Sequence, residues 1–341
     1  MKILYDGIVK SLQSYGGITV YFEEIIKRLK NDEYKFIQFN DKNENHNDDL
    51  HRPCRFLERY RCFEALKSDS DYSIFHSTYY RVPKDGEYAV VTTVHDFTYE
   101  LYMKGLRRNV HSLQKRWAVK HSDAIICVSN NTAKDLINFF KVDEKKIHVI
   151  HNGVSEDYRH LNLEKENFVL FVGARSGYKN FELAVKAISK LFDTNLKIVG
   201  GGGLNKAEMK LLSEYLPERF QYLGKVSNEK LNILYNSAYC LIYPSEYEGF
   251  GIPLLEAMRT GCPVIAVNRS SIPEVVGDSA ILVEEVSIES LFSALLSVEA
   301  NANELKNKGL AQSNKFSWGK CFSETYNLYK SLSKFCEVIY V

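Results

Sequence analysis

Apolar residues in this chain follow two rhythms. Short continuous runs rich in Val, Ile, Phe and Tyr alternate with longer stretches in which apolar positions recur every three or four residues. The first rhythm is that of strands buried on both faces, the second that of amphipathic helices. Their alternation predicts an α/β fold class built on parallel sheets with crossover helices. In the first half the predicted strands are residues 2–5, 34–39, 72–77, 89–94, 124–128 and 147–150. In the second half they are 168–172, 196–199, 220–223, 240–243, 263–267 and 280–283. Helical patterns cover 19–29 and 318–333, the latter with Phe322, Tyr326 and Tyr329 on one face. Asn152-Gly153 and the polar run 155–167 mark a linker between the two sets.

Two doubly wound, Rossmann-like domains are therefore expected, residues 1–153 and 154–341, and a length of 341 suits that number. Ligands in such sheets bind outside the carboxyl ends of the strands, and a cleft between two facing domains is the expected site. The segment 41–49, rich in Asn and Asp, reads as a polar surface loop.

Composition removes several classes. A net charge of +1 gives no global electrostatic case for nucleic acid. Seven cysteines without a Cys-x-x-Cys pair fit reduced thiols in a cytoplasmic setting better than a disulfide framework. The start, Met1-Lys2 and a short apolar run ending at Asp6-Gly7, does not read as a signal peptide, and no apolar stretch is long enough to span a bilayer.

The densest chemistry lies at Glu248-Gly249-Phe250-Gly251-Ile252-Pro253-Leu254-Leu255-Glu256, after the strand 240–243. Pro253 suits the first turn of a helix, which places Glu248 in a loop and Glu256 about one turn in. Gly249 and Gly251 allow close backbone approach, and the unpaired amides of the helix start suit a diphosphate. The two carboxylates then suit sugar and ribose hydroxyls. Arg175 and Lys179 follow the strand 168–172 at its ligand-facing end, and both suit phosphate oxygens. No His cluster calls for a metal. The run Gly200 to Gly203 lacks the Lys-Ser/Thr of a P-loop and reads as a strand-to-helix turn bordering the nucleotide at most.

Residues 245–266, SEYEGFGIPLLEAMRTGCPVIA, resemble the signature of the retaining glycosyltransferases of family 4, whose architecture is GT-B. The resemblance extends through Phe171-Val172-Gly173-Ala174-Arg175 with Lys179, through Tyr222-Leu223-Gly224-Lys225-Val226, and through Val94-His95-Asp96 and Gly16-Gly17. It implies that Arg175 and Lys179 hold the donor diphosphate without a metal or other cofactor. It also implies that Glu248 binds donor-sugar hydroxyls, that Glu256 binds the ribose, and that His95 contacts the sugar, commonly its 6-hydroxyl. Gly224, Lys225 and Val226 would edge the base, Gly16 and Gly17 would offer amides, and the final helix, about 318–333, would pack on the N-terminal domain.

Acceptor recognition is expected from the N-terminal domain. His76, Tyr79, Tyr80 and Arg81 can stack on and hydrogen-bond a sugar, or pack locally; Asp96 can orient His95 or cap the segment after it. Lys104, Arg108, His111 and Lys115 fall at helical spacing beside Leu106, Leu113 and Trp117. They make either a solvated face or a dock for anionic lipid or a lipid-linked acceptor. The resulting expectation is a cytoplasmic retaining hexosyltransferase, at the inner face of the membrane if that stripe binds lipid. It would move a hexose from a GDP-mannose-type donor to a growing, polyprenyl-diphosphate-linked surface polysaccharide. UDP-hexoses, UDP-N-acetylhexosamines and dTDP-rhamnose stay open as donors. Another GT-B enzyme such as an epimerase, or a silent nucleotide-sugar-binding subunit, is the alternative.

Overall fold

Thirteen strands in two parallel sheets organise the computed structural model, which describes residues 1–13, 16–40, 51–64, 69 and 71–339. The polar segment 41–49 lies outside the described residues. The first unit comprises Met1–Asn152 and Trp318–Val341, the second Gly153–Ser317.

In the first unit the strands are β1 (Ile3–Asp6), β2 (Tyr34–Asn40), β3 (His51–Pro53), β4 (Ile74–Ser77), β5 (Ala89–Val94), β6 (Ala124–Cys127) and β7 (Ile147–Val149). Its helices are α1 (Ile8–Leu12), α2 (Gly17–Ile26), α3 (Thr98–Tyr102), α4 (Gly105–Lys120) and α5 (Asn130–Phe140). The second unit holds β8 (Phe168–Val172), β9 (Asn195–Val199), β10 (Phe220–Gly224), β11 (Cys240–Tyr243), β12 (Val264–Val267) and β13 (Ile281–Val283). Around them lie α6 (Phe181–Ser189), α7 (Lys206–Tyr215), α8 (Asn228–Ser237), α9 (Ile252–Arg259), α10 (Ile272–Val276) and α11 (Ile288–Ser313). The last helix, α12 (Trp318–Ile339), belongs to the first unit.

Strand order is β3-β2-β1-β4-β5-β6-β7 in one sheet and β10-β9-β8-β11-β12-β13 in the other. In both, the chain starts in the middle, winds to one edge, then returns and winds to the other. That is the doubly wound topology, and it opens a crevice where the winding reverses, between β1 and β4 and between β8 and β11. Every pairing is parallel, so the strands are covered on both faces, which is why they read as continuous apolar runs. Among the elements that the sequence pattern did not delimit are β3 and α1. Strand β3 is a three-residue edge strand containing Arg52 and Pro53, and α1 is a five-residue helix ahead of Gly16.

Helix α12 is anchored by polar groups inside the core of the first unit. Tyr329 is fully buried; its hydroxyl lies 2.5 Å from His76 Nδ1 and 3.1 Å from the Tyr5 hydroxyl, and His76 Nε2 lies 2.9 Å from Thr93 Oγ1. Burial pushes the His76 pKa down to about 3, so this imidazole is neutral and both ring nitrogens are occupied within the core. Removing one hydroxyl leaves a buried nitrogen without a partner. Tyr329→Phe is therefore expected to destabilise the first unit by about 1–3 kcal/mol. In urea unfolding followed by hydrogen exchange, protection should fall in the first unit, with the peptides of the second unchanged.

Candidate functional site

At the β8/β11 crevice two loops face each other. The loop after β8 runs through Gly173 and Arg175 into a 3-10 turn, Gly177–Lys179; the loop after β11 carries Glu248 and enters α9 through Gly251. Gly251 has φ +101°, and a side chain there would meet Leu254 Cδ1 at 2.8 Å, so glycine is required for the chain to turn into the helix. The loops are tied together by the Glu246 amide donating to the Tyr178 carbonyl (2.9 Å) and Asn180 Nδ2 donating to the Pro244 carbonyl (3.0 Å).

Across this seam Lys179 Nζ and a Glu248 carboxylate oxygen form a close ion pair, with side chains only 12% and 13% exposed. The Tyr243 hydroxyl also bonds Glu248, and the ammonium lies 5.5 Å from the Tyr243 ring. Glu248 is fixed from a third side: Ser270 Oγ accepts its amide (2.9 Å), and Ser271 Oγ donates to the carbonyls of Glu248 (2.9 Å) and Phe250 (3.1 Å). The Phe250 side chain is itself core, packed on Phe316, so of this residue only the backbone can serve a ligand.

Glu256 lies half-buried on α9. Tyr235 Oη donates to its Oε2 at 3.0 Å, and Tyr158 supplies a second hydroxyl. Burial raises its pKa to about 7 despite those two bonds. The base-side segment Gly224, Lys225 and Val226 leaves β10 with Gly224 at φ +63° and its carbonyl accepting the Gly200 amide (2.8 Å).

Arg175, expected as a phosphate ligand, spends its guanidinium on groups of its own unit. Its side chain is 2% exposed. Nε donates to Glu208, Nη1 to the Gly200 carbonyl and Nη2 to the carbonyls of Gly201, Gly202 and Gly203. Lys179 is thus the cation of the expected pair that stands at the crevice.

The first unit sorts its candidates differently. His95 follows β5 with Tyr21 and Phe22 edge-on to its ring, at 5.2 and 6.3 Å. Its Nε2 is buried without a hydrogen-bond partner, and burial, with Lys115 nearby, lowers its pKa to about 4. Asp96 stands just before α3, its Oδ1 accepting the Thr98 amide at 2.9 Å. Gly17 has open space around it at the start of α2, beside Gly16.

Several acceptor expectations need correction. His76 is part of the core network of α12. Arg81 is buried, donating to Glu58 Oε1 (2.8 Å) and the Arg61 carbonyl (3.0 Å), because Asp6 and Glu58 beneath the sheet end require a cation. Tyr80 is buried too, while Tyr79, less buried, bonds His111 Nε2 at 3.2 Å. The basic stripe is also smaller than its spacing suggested. Lys115 is fully buried, paired with Glu100 at 2.8 Å, and His111 is buried beside it. One helix face turns inward there, leaving Lys104, Arg107, Arg108 and Arg116 exposed with Leu106, Leu113 and Trp117.

Residues that the sequence did not single out hold those that it did: Ser270 and Ser271 for Glu248, Tyr235 and Tyr158 for Glu256. The serines follow strand β12, and a strand-end position was the available signal; the tyrosines carried no local one.

The raised pKa of Glu256 has a sign that can be tested. The folded chain holds this proton up to about pH 7, whereas an exposed glutamate loses it near 4.5. The folded state therefore binds more protons in between, and this group's contribution to stability is lost as pH rises through about 7. Urea midpoints measured from pH 5 to 8 should show the stability of Glu256→Gln, relative to wild type, increasing with pH; a flat difference would contradict the assignment.

Comparison with known proteins now fits onto this geometry. Residues 155–312 match the family model "Glycosyl transferases group 1", and residues 15–158 match "Glycosyltransferase Family 4". The O-antigen chain mannosyltransferase B of Escherichia coli is 30% identical over 314 residues, covering 83% of this chain and 82% of the relative. The O-antigen chain mannosyltransferase RfbU of Salmonella typhimurium is 32% identical over 211 residues, covering 61% of this chain and 60% of that one. Among solved structures, sucrose-phosphate synthase from Thermosynechococcus elongatus superimposes with a TM-score of 0.77 at 20% identity, covering 97% of this chain and 98% of that one. Anabaena HepE in complex with UDP gives 0.74 at 15% identity, over 97% of this chain and 100% of that one. The two doubly wound sheets have the GT-B fold, and the chain belongs to the family 4 (group 1) glycosyltransferases.

Proposed function

We propose that this enzyme is a retaining mannosyltransferase that uses a GDP-mannose-type donor, without a metal, to extend a surface polysaccharide of the O-antigen kind. The observation that carries the site is the Lys179–Glu248 pair at the reversal point of the second sheet. A nucleoside diphosphate sugar brings charge for Lys179 and hydroxyls for Glu248, so each partner exchanges one ligand for another as the donor binds. The first-turn amides of α9 add fixed donors for the diphosphate. In this reading Glu256, held by two tyrosines, takes a ribose diol, and Gly224, Lys225 and Val226 edge the base. The named activities of the Escherichia coli and Salmonella relatives support the choice of a mannosyl donor.

On the first unit, His95 offers a neutral imidazole with an unsatisfied buried nitrogen, suited to a sugar hydroxyl. The Gly16 and Gly17 amides are donor-side candidates in this reading, and Asp96 and the Tyr79 hydroxyl acceptor-side ones. The described cysteines are free thiols, in keeping with action in the cytoplasm. Among the described residues no helix is long and apolar enough to cross a membrane. A lipid-linked acceptor would instead be met at the membrane surface by the exposed part of α4 and the residues before it.

A thermal-shift panel of GDP, UDP and dTDP sugars tests the donor, with GDP-mannose expected to give the largest rise. With that donor, Lys179→Ala is expected to lower transfer by roughly a hundredfold or more, as loss of a transition-state charge contact does. Transfer by the wild type should persist in excess chelator. Full activity of Lys179→Ala would end this reading of the crevice.

For the membrane face, combined Lys104→Glu, Arg107→Glu and Arg108→Glu should reduce co-sedimentation with anionic vesicles while leaving GDP-mannose binding unchanged. Equal sedimentation would make the basic residues an ordinary solvated face.

A further inference from the structure

The geometry points to Arg175 as a positioning residue that builds the base-side wall of the donor site, and not as a ligand of the diphosphate. The inference rests on the donor reading above and concerns how that site is held.

One guanidinium gathers the carbonyls of four consecutive glycines. Nη1 donates to Gly200 O (2.8 Å), and Nη2 to Gly201 O (3.3 Å), Gly202 O (2.8 Å) and Gly203 O (3.1 Å). Nε is held by Glu208 at 3.0 Å, and the guanidinium lies 5.9 Å from the Phe181 ring and 5.5 Å from that of Tyr222. Glu208 is itself fixed, because its Oε2 accepts the Asn205 amide in the capping box of α7. The fork thus spans the loop after β8, the loop after β9 and the first turn of α7.

The glycine run follows from that arrangement. Gly200, Gly201 and Gly202 have φ of +78°, +72° and +72°, which turns successive carbonyls inward. A side chain at Gly201 would stand 2.6 Å from Arg175 Nη1 and 2.5 Å from the Gly173 carbonyl. The loop passes its position onward: the Gly200 amide donates to Gly224 O at 2.8 Å, and Tyr222 Oη to Gly202 O at 2.6 Å. Gly224 is where the base-edging segment begins. Arg175 therefore acts on that segment through one backbone hydrogen bond and one from the Tyr222 hydroxyl, while its own side chain is closed to solvent.

A planar fork that satisfies four carbonyls and a carboxylate cannot be replaced by a point charge, whereas a phosphate contact in part can. That difference sets the experiment. Hydrogen exchange of the peptide covering 196–208 is measured on ligand-free wild type, Arg175→Ala and Arg175→Lys, with peptides of the first unit as the folding control. Affinities for GDP and GMP are then measured by calorimetry on these proteins and on Lys179→Ala. Exchange should rise in both Arg175 variants alike, and GDP and GMP should weaken together, so that their affinity ratio stays within about twofold of wild type while Lys179→Ala lowers it roughly tenfold or more.

Unchanged exchange in Arg175→Ala, or a GDP/GMP ratio that collapses in Arg175→Ala and is restored in Arg175→Lys, would overturn the inference. Should the wild type bind neither nucleotide, the GDP-donor reading fails, and the exchange arm still decides whether Arg175 builds the wall.

Discussion

Two loops that end strands of opposite winding cannot cover one another, and in the second unit a single ion pair, Lys179 with Glu248, crosses the gap that the topology leaves. Most of what surrounds the pair exists to fix its two ends. Lys179 leaves a 3-10 turn whose position is tied by Asn180 to Pro244; Glu248 leaves a loop pinned by Ser270 and Ser271. A largely shielded ion pair is an arrangement of modest net stability, because desolvation offsets attraction. That balance suits a binding site. A ligand bringing both an anion and hydroxyls can separate the pair without leaving either charge unpaired, whereas a ligand bringing only one of them strands the other.

Around this seam the tyrosines provide rigid hydroxyls. Tyr235 and Tyr158 aim Glu256, Tyr243 joins Glu248, and in the first unit Tyr329 and Tyr5 complete the His76 network. A phenol has two side-chain torsions and a large apolar body, so it fixes a polar atom inside a core at lower entropic cost than a long charged side chain. Five of the 22 tyrosines, Tyr5, Tyr158, Tyr235, Tyr243 and Tyr329, thereby serve to satisfy or aim polar groups inside the fold.

How much of this was legible in the sequence depended on how local the cause was. Strand positions were legible because a parallel strand buried on both faces must be apolar throughout, as in Phe168–Val172 and Cys240–Tyr243. Glu248, Lys179 and the turn at Gly251 were legible because loop, proline and glycine stand next to one another in the chain. Burial of a charge was not. Lys115 and Arg81 looked like surface or ligand-facing cations, yet Glu100 draws the first inside from 15 residues away and Glu58 the second from 23. The same holds for Arg175, whose partners lie 25 to 33 residues downstream. A spacing rule sees one helix face or one loop; the countercharge that decides which way a long side chain turns arrives from another crossover.

That asymmetry bears on how the two sheets divide the chemistry. In the first, the reversal point between β1 and β4 holds the chain's own buried charges: Arg81 pairs with Glu58 and the Thr78 amide donates to Asp6 at 2.7 Å, while Asp6 Oδ2 and Arg81 Nη1 have no hydrogen-bond partner. At the end of β5, His95 likewise has a buried nitrogen with nothing to bond. In the second, the equivalent reversal point is crossed by one exchangeable pair. The same winding thus carries different charge at its reversal point: a deeply buried cluster around Asp6 and Arg81 in the first sheet, and in the second the Lys179–Glu248 pair, which keeps some exposure.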